Sequence, residues 1–321
     1  MKIVPITIPT PFYVGSVNVY LIKEDPLTLI DVGPKTADAY SALINGLSNA
    51  GVNVADIKRI LLTHAHEDHC GLSKRVRDSA NDAKVFVHKW ETGHLFGRLS
   101  KEIHKNLLLS SGVPDFMCDE MQADYKNVSL LTDSLNESEF QTIYDNDVFE
   151  FEKGMLRVIH TPGHTPGSCS FIRDADRTIF CGDCALKRIT PNPILSPDPV
   201  NSEKRFQALG EYLVSLARIR NEAPTKLFTG HGVPIVDFET TLTRYRRAID
   251  ERQRQIVEAI IPNALTAWDV AQKIFPEAVQ ESIHRFLAVS ETIAHLDFAF
   301  SEGKITKEFA ENREFFRTNF Q

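Results

Sequence analysis

The 321-residue chain has no apolar run approaching the roughly 18 consecutive residues of a membrane span, because charges or prolines break every such stretch. That excludes a helical membrane anchor. It is poor in cysteine: Cys70, Cys118, Cys169, Cys181 and Cys184 are odd in number and scattered, which excludes a secreted disulfide framework and points to reduced thiols. It lacks positive charge overall, with 36 lysines and arginines against 43 acidic residues and a net of −7. No global field is therefore available to hold a phosphate backbone, so nucleic acid is disfavoured as a partner, with RNA left open to a local basic patch. The start of the chain lacks the apolar stretch of an export signal, since Pro5, Pro9 and Pro11 interrupt it. The expectation is a soluble cytoplasmic protein without internal repeats or low-complexity tracts.

What is present is an ordinary folded composition, 42% hydrophobic and 25% charged, long enough for one large domain or a large one with a smaller one. Short strands are predicted at 2–8, 18–23 and 27–31, with Gly15 and Asp25-Pro26 as turn punctuation. Apolar spacing at Ala39, Leu43 and Leu47 predicts a helix over 35–50, stopped by Gly51. The β-branched run 57–63 reads as a buried strand. A helix over 72–79 and a strand over 84–88 follow. Residues 89–125 are mostly helical in pattern, through Leu95, Leu99, Ile103 and Leu107, and read as an insertion. Strands resume at 148–152, 155–160, 168–173 and 178–181, then a helix over 202–219 and a strand over 226–229. Beyond residue 237 strand signals almost vanish, and a small helical bundle ending in a turn is expected.

The chemistry sits at strand ends. Thr63-His64-Ala65-His66-Glu67-Asp68-His69 packs three imidazoles and two carboxylates into a few residues after a buried strand. Neutral imidazoles and carboxylates are ligands for Zn, Mn and Fe, whereas thiolate-rich sets favour closed structural zinc sites. Thr161-Pro162-Gly163-His164-Thr165-Pro166-Gly167-Ser168, Cys181-Gly182-Asp183 and Thr229-Gly230-His231-Gly232 repeat the plan: a His or Asp follows a strand, in a turn forced by glycine or proline.

This order of ligand-bearing motifs resembles the metallo-β-lactamase superfamily over roughly residues 1–236, including Asn18-Val19-Tyr20-Leu21-Ile22 and Ile30-Asp31-Val32-Gly33. The resemblance implies an α/β fold, a four-layer αββα sandwich with the site at one sheet edge. It also implies one metal on His64, His66 and His164, a second on Asp68, His69 and His231, and Asp183 bridging both. Asp31 would orient a ligand or the metal-bound water. The implied cofactor is two divalent ions, Zn²⁺ first, with Mn²⁺ or Fe²⁺ as alternatives. Two cations about 3.5–4 Å apart share a hydroxide of pKa near ~7, a nucleophile that needs no serine or cysteine. The family further implies that Asp68 receives or returns a proton. A looser resemblance covers residues 237–321: Tyr245-Arg246-Arg247, Glu251-Arg252-Gln253-Arg254-Gln255-Ile256, Thr292-Ile293-Ala294-His295-Leu296 and Glu302-Gly303-Lys304-Ile305 are similar to the winged-helix tail of the β-lactamase-like protein 2 subgroup. Arg246 and Arg247 stand where that subgroup often has a histidine beside the arginine.

The expected organisation is thus a catalytic domain over 1–236, with a helical insertion at about 89–125, and a C-terminal helical, winged-helix-like domain over 237–321. The expected activity is hydrolysis of a small ester, thioester or lactone. The alternatives are a single-stranded RNA endonuclease using the arginine helix, and a persulfide dioxygenase with one iron. The tail carries 11 basic against 14 acidic residues, which favours packing or homodimerisation over reading DNA. Tyr13, with Phe12, Trp90, Phe96 and Phe116, are candidate walls of the cleft, and Lys187 and Arg188 are candidates to neutralise an anionic substrate. The Cys181-x-x-Cys184 spacing also permits a redox pair. Histidines outside the motifs are assigned packing or surface roles, with His160 the first candidate for an exception.

Overall fold

A computed structural model describes residues 1–80, 83–95, 101–261 and 263–319. Phe96 and Leu99 lie outside the described residues. The chain opens with β1 (Ile3–Ile8), β2 (Val17–Ile22) and β3 (Thr28–Ile30), an antiparallel meander. Every residue of β2 is buried, so its side chains are covered on both faces. Three parallel strands extend this sheet in chain order: β4 (Arg59–Leu61), β5 (Lys84–His88) and β6 (Phe140–Ile143). Parallel neighbours require crossovers, and helices supply them. Between β3 and β4 runs α1 (Ala37–Asn49), capped by the Thr36 hydroxyl, which accepts from the Ala39 N–H at 3.1 Å. Between β4 and β5 lie α2 (Glu67–Cys70) and α3 (Ser73–Ser79). The crossover to β6 contains α4 (Thr92–Leu95), α5 (Lys101–Ser110) and α6 (Asp115–Ser129).

The second sheet runs in the order β11-β10-β9-β8-β7. It consists of β7 (Val148–Phe151), β8 (Gly154–His160), β9 (Cys169–Arg173) and β10 (Thr178–Gly182), all antiparallel neighbours, with β11 (Lys226–Thr229) added parallel to β10 after α7 (Ala208–Asn221). The sheets bury Tyr20, Ile22, Leu61, Phe149, Phe171, Phe180 and Phe228 in one shared cluster. Leu43, Leu47 and Val76 of α1 and α3 pack on the outer face of the first sheet. The outer face of the second is covered by Leu216 and Ile219 of α7 together with Tyr245 and Ile249 of α8 (Phe238–Ala259). The result is the four-layer αββα sandwich.

After α8 come α9 (Ala267–Ile274), α10 (Ser282–Ser301) and a hairpin of β12 (Ile305–Ala310) and β13 (Arg313–Thr318). These helices share an apolar cluster with the insertion, where Leu107, Leu108, Val113 and Met121 meet Trp268, Val289, Ile293 and Phe316. Gly112 sits at φ +92°, and a Cβ there would lie 2.4 Å from the Thr266 hydroxyl, so the turn between α5 and α6 seats directly on the start of α9.

The hairpin corrects the expectation that the helical bundle of the tail ends in a turn alone. Five of its twelve strand residues are charged and only Ile305 and Phe316 are fully buried, which leaves little apolar alternation to detect. Its turn uses Glu311 and Asn312, both at positive φ, as a two-residue primed turn requires. The helix expected from residue 202 begins at Ala208 instead. Arg205 is drawn out of helical register by ion pairs to Asp297 and Glu314.

His295 of α10 lies with Nδ1 2.8 Å from the Gln253 side-chain oxygen on α8. Burial, and then the charge of Arg252, lower its pKa to about 3, against roughly 6.5 in an unfolded chain. Below that value the unfolded state binds more protons, so the stabilisation is present above about pH 6.5 and is lost as pH falls toward 3. From pH 7 to pH 5 the loss at this residue is about 2 kcal/mol. Urea unfolding of His295→Gln is expected to show a correspondingly flatter pH dependence than the parent. Equal slopes would contradict this account.

Candidate metal centre

The C-terminal ends of strands from both sheets meet at one edge. Residues 62–66 continue from β4 in non-helical backbone, and α2 then starts at once, turning Asp68 and His69 inward. His164 lies in the loop after β8, Asp183 directly after β10, and His231 is separated from the end of β11 by Gly230 alone. His64, Asp68, His69, His164, Asp183 and His231 are buried and His66 is half-buried. The Nε2 atoms of His64 and His164 each lie 3.0 Å from Nδ1 of His66. Asp68 Oδ2 is 3.2 Å from His231 Nε2. Asp183 faces both sets: its Oδ1 is 3.5 Å from His69 Nε2, and its Oδ2 is 3.5 Å from His231 Nε2 and 3.9 Å from His164 Nε2. Donor atoms within 4.8 Å of one another form three groups, His64/His66/His164, Asp68/His69/His231 and His64/His69/Asp183.

Outer contacts fix the rings. Asp31 stands at φ +58° after β3, a left-handed conformation uncommon for any residue but glycine. Its Oδ1 accepts the Thr63 N–H, and its Oδ2 accepts both the Thr63 hydroxyl and His69 Nδ1, each at 2.8 Å. His164 Nδ1 donates to the Asn192 carbonyl at 2.8 Å and His231 Nδ1 to the Ser16 carbonyl at 2.9 Å. Each of these rings thereby turns its Nε2 toward the cluster, as partners of metal-binding histidines do. Ser16 and Asn192 hold their histidines through backbone carbonyls, and a backbone contact leaves no mark on residue type, so neither was legible from sequence. Asn192 also donates from its side chain to the Leu287 carbonyl of α10 at 3.1 Å, which ties the tail to the site.

The residues fit divalent cations. His69 Nε2, His231 Nε2 and Asp183 Oδ1 are buried without a hydrogen bond of good geometry, a costly arrangement unless another ligand satisfies them. Burial alone would lower the His69 pKa, yet the carboxylates of Asp68, Asp183 and Asp31 outweigh it and push it up to about 10. That corner calls for positive charge. His64 is held well below the usual histidine range by burial and then by the neighbouring imidazoles, which keeps it a neutral donor. Gly230 borders the cluster: a Cβ there would fall 2.1 Å from Asp183 Oδ1 and 2.7 Å from His69 Cε1. Gly230→Ala is expected to lower bound metal by at least one ion per chain with secondary structure intact, as read by elemental analysis and circular dichroism. Parental metal content would contradict this.

Residues 12–231 match the Metallo-beta-lactamase superfamily. The chain belongs to the metallo-β-lactamase superfamily. It is 31% identical over 321 residues to the Probable metallo-hydrolase YqjP of Bacillus subtilis (strain 168), covering 98% of each chain. It is 27% identical to the Beta-lactamase-like protein 2 homolog of Drosophila melanogaster, with 96% of this chain and 90% of that one covered. The crystal structure of a metallo-beta-lactamase family protein from Thermus thermophilus superposes with a TM-score of 0.83 at 26% identity, over 99% of this chain and 98% of that one. The chain is therefore a metallo-hydrolase of the superfamily, with His/Asp clusters that suggest divalent metal binding.

Around this superfamily site the other candidates divide. Tyr13 is exposed, and its ring lies 4.8 Å from that of His284 at the start of α10. Phe12 is exposed to an intermediate degree and Phe116 is well exposed. Trp90 packs edge-on to His88 and His160. His160 stacks on His88 and bonds the Pro166 carbonyl through Nε2 at 2.9 Å, a tie inside the fold. Lys187 and Arg188 are exposed on the segment after Asp183. Helix α8 fastens that segment: the Tyr245 hydroxyl donates to the Leu186 carbonyl at 2.5 Å, and Arg244 donates to the carbonyls of Leu186 and Lys187. Cys181 and Cys184 are fully buried, and burial pushes the Cys184 thiol up to about 12 and the Cys181 thiol well above its ordinary value, which disfavours thiolate chemistry. Among the described residues no helix is long and apolar enough to cross a membrane.

Proposed function

We propose that the chain is a dinuclear metal-dependent hydrolase of a small ester, thioester or lactone. The observation that carries the reading is that two of the three donor groups, His64/His66/His164 and Asp68/His69/His231, have no member in common, while the third, His64/His69/Asp183, joins them, with Asp183 facing both. These seven residues would hold the two ions. Bound there, two divalent cations, zinc first, supply an activated water at neutral pH and Lewis acidity toward the scissile oxygen.

The chain's own groups do the rest. Asp31 fixes His69 through Nδ1 and, through Thr63, the start of the histidine loop. Burial would raise the pKa of Asp68, but His69 and His231 outweigh it and hold the carboxyl well below the usual range. Asp68 is therefore an anion at neutral pH, the form that would hold a metal ion; the further role of accepting a proton at a carboxylate oxygen and returning it to the leaving group comes from the superfamily resemblance. Tyr13 would wall the cleft, and Lys187 and Arg188 would neutralise an anionic portion of the substrate. A small substrate is favoured over RNA because several arginines of α8 already have acidic or carbonyl partners. Arg252 pairs with Glu291 at 2.8 Å, Arg254 with Glu251 and Glu258, and Arg244 with backbone carbonyls.

The test is a panel of esters, thioesters, lactones and single-stranded RNA at low and high salt. Hydrolysis of at least one small substrate is expected, with little salt dependence, abolished by a chelator and restored by zinc or manganese. RNA cleavage that falls steeply with salt, without small-molecule turnover, would replace this reading with a nuclease.

A further inference from the structure

We propose that Glu91 is a positioning residue for the metal centre, its carboxylate clamping the His64–His69 loop to the His164 loop. Glu91 closes a short turn after β5 and is 2% exposed. Its Oε2 accepts the N–H of Ala65, between His64 and His66, at 2.9 Å. Its Oε1 accepts the N–H of Gly167 at 2.7 Å and the hydroxyl of Thr165, next to His164, at 2.8 Å. One carboxylate thus takes three donors from two loops that follow strands of different sheets. The backbone bond from Cys169 N–H to the Thr63 carbonyl at 2.7 Å ties the same loops farther from the donors.

Two features mark this as more than a core contact. No cation pairs with Glu91 among the described residues, and burying a carboxylate without a countercharge is costly, so three directed hydrogen bonds compensate for lost hydration. Gly167 also makes room for the group: a Cβ there would fall 2.6 Å from Glu91 Cγ and 2.7 Å from Oε1. His64, His66 and His164 lie within one residue of a clamped position, and His66 Nδ1 is 3.0 Å from the Nε2 of each of the other two. A shift of one loop against the other therefore moves one donor away from the other two. Outer groups of this kind typically change metal affinity by 10–100-fold.

The inference rests on the metal reading above, and the full-length chain tests the two separately. Zinc affinity is measured by competition with a chromophoric chelator, and the melting temperature is measured on the metal-free form. Glu91→Gln keeps the volume but turns an NH₂ donor onto the donor or donors of one of the two loops, and is expected to weaken zinc binding about 10–100-fold. Thr165→Val removes one donor of the three and is expected to weaken it a few-fold, which keeps the test open if the first variant does not fold. Asp297→Asn, in an ion pair that includes no residue of either loop, is expected to lower the melting temperature while zinc affinity stays parental. Parental zinc affinity in Glu91→Gln or, should it not fold, in Thr165→Val would overturn the proposal. So would an equal loss of affinity in Asp297→Asn at a matched fall in melting temperature. A parent chain that binds no zinc would instead overturn the metal reading.

Discussion

Asp183→Ala is expected to reduce turnover by more than ~100-fold, beyond the range usual for groups outside the ligand set, and to release at least one metal ion per chain. Asp183 is the carboxylate that approaches His69, His231 and His164 together, at 3.5, 3.5 and 3.9 Å, so its loss affects both donor sets. His66→Ala should act similarly, because His66 Nδ1 is the shared neighbour of His64 and His164. The folded state should survive both changes, since the sheets are held by the apolar cluster between them rather than by these loops. Circular dichroism, elemental analysis and turnover of whichever panel substrate is active check this. Either variant retaining full metal and full activity would sink the assignment of these residues as ligands.

Arg205→Ala is expected to cost about 3–5 kcal/mol of stability, the usual consequence of removing one partner from a buried charge cluster. Arg205 is 8% exposed. It holds Asp297 of α10 through Nε and Nη2 at 3.0 and 2.7 Å, and Glu314 of β13 through Nη1 at 2.5 Å. The alanine variant leaves Asp297 shielded from water without a countercharge, and Glu314 with Lys307 alone, 3.2 Å from its Oε1. Because the cluster joins the segment before α7 to the tail, the loss should appear as an earlier urea midpoint for the whole chain. A change under about 1 kcal/mol would show that water reaches these carboxylates and that the cluster behaves as a surface pair.

Legibility from sequence followed the physics of each element. Strands buried on both faces, such as β2 and β10, announce themselves as apolar runs, and β5 and β11 were bounded to the residue. Phe140–Ile143 was missed because a four-residue edge strand with two apolar residues carries almost no period. β12 and β13 were missed because their sheet has only two strands and is largely exposed. The donor set was legible because imidazoles and carboxylates after strand ends form a pattern of residue types. Glu91 was not, since one glutamate in a helical-looking stretch resembles a surface residue until the fold buries it between two loops. The docking of the insertion on the tail was equally hidden, because Leu107 and Met121 give helical spacing without naming the surface they meet. The broken start of α7 has the same origin, as Arg205 finds its partners about 90 residues or more away.

The measurement closest to the central claim is elemental analysis of the full chain purified without added metal. The account predicts about two divalent ions per chain, zinc or manganese, as two donor sets joined by one carboxylate imply. About one iron per chain, with oxygen consumed in the presence of a persulfide, would contradict it and move the chemistry from hydrolysis to oxygenation.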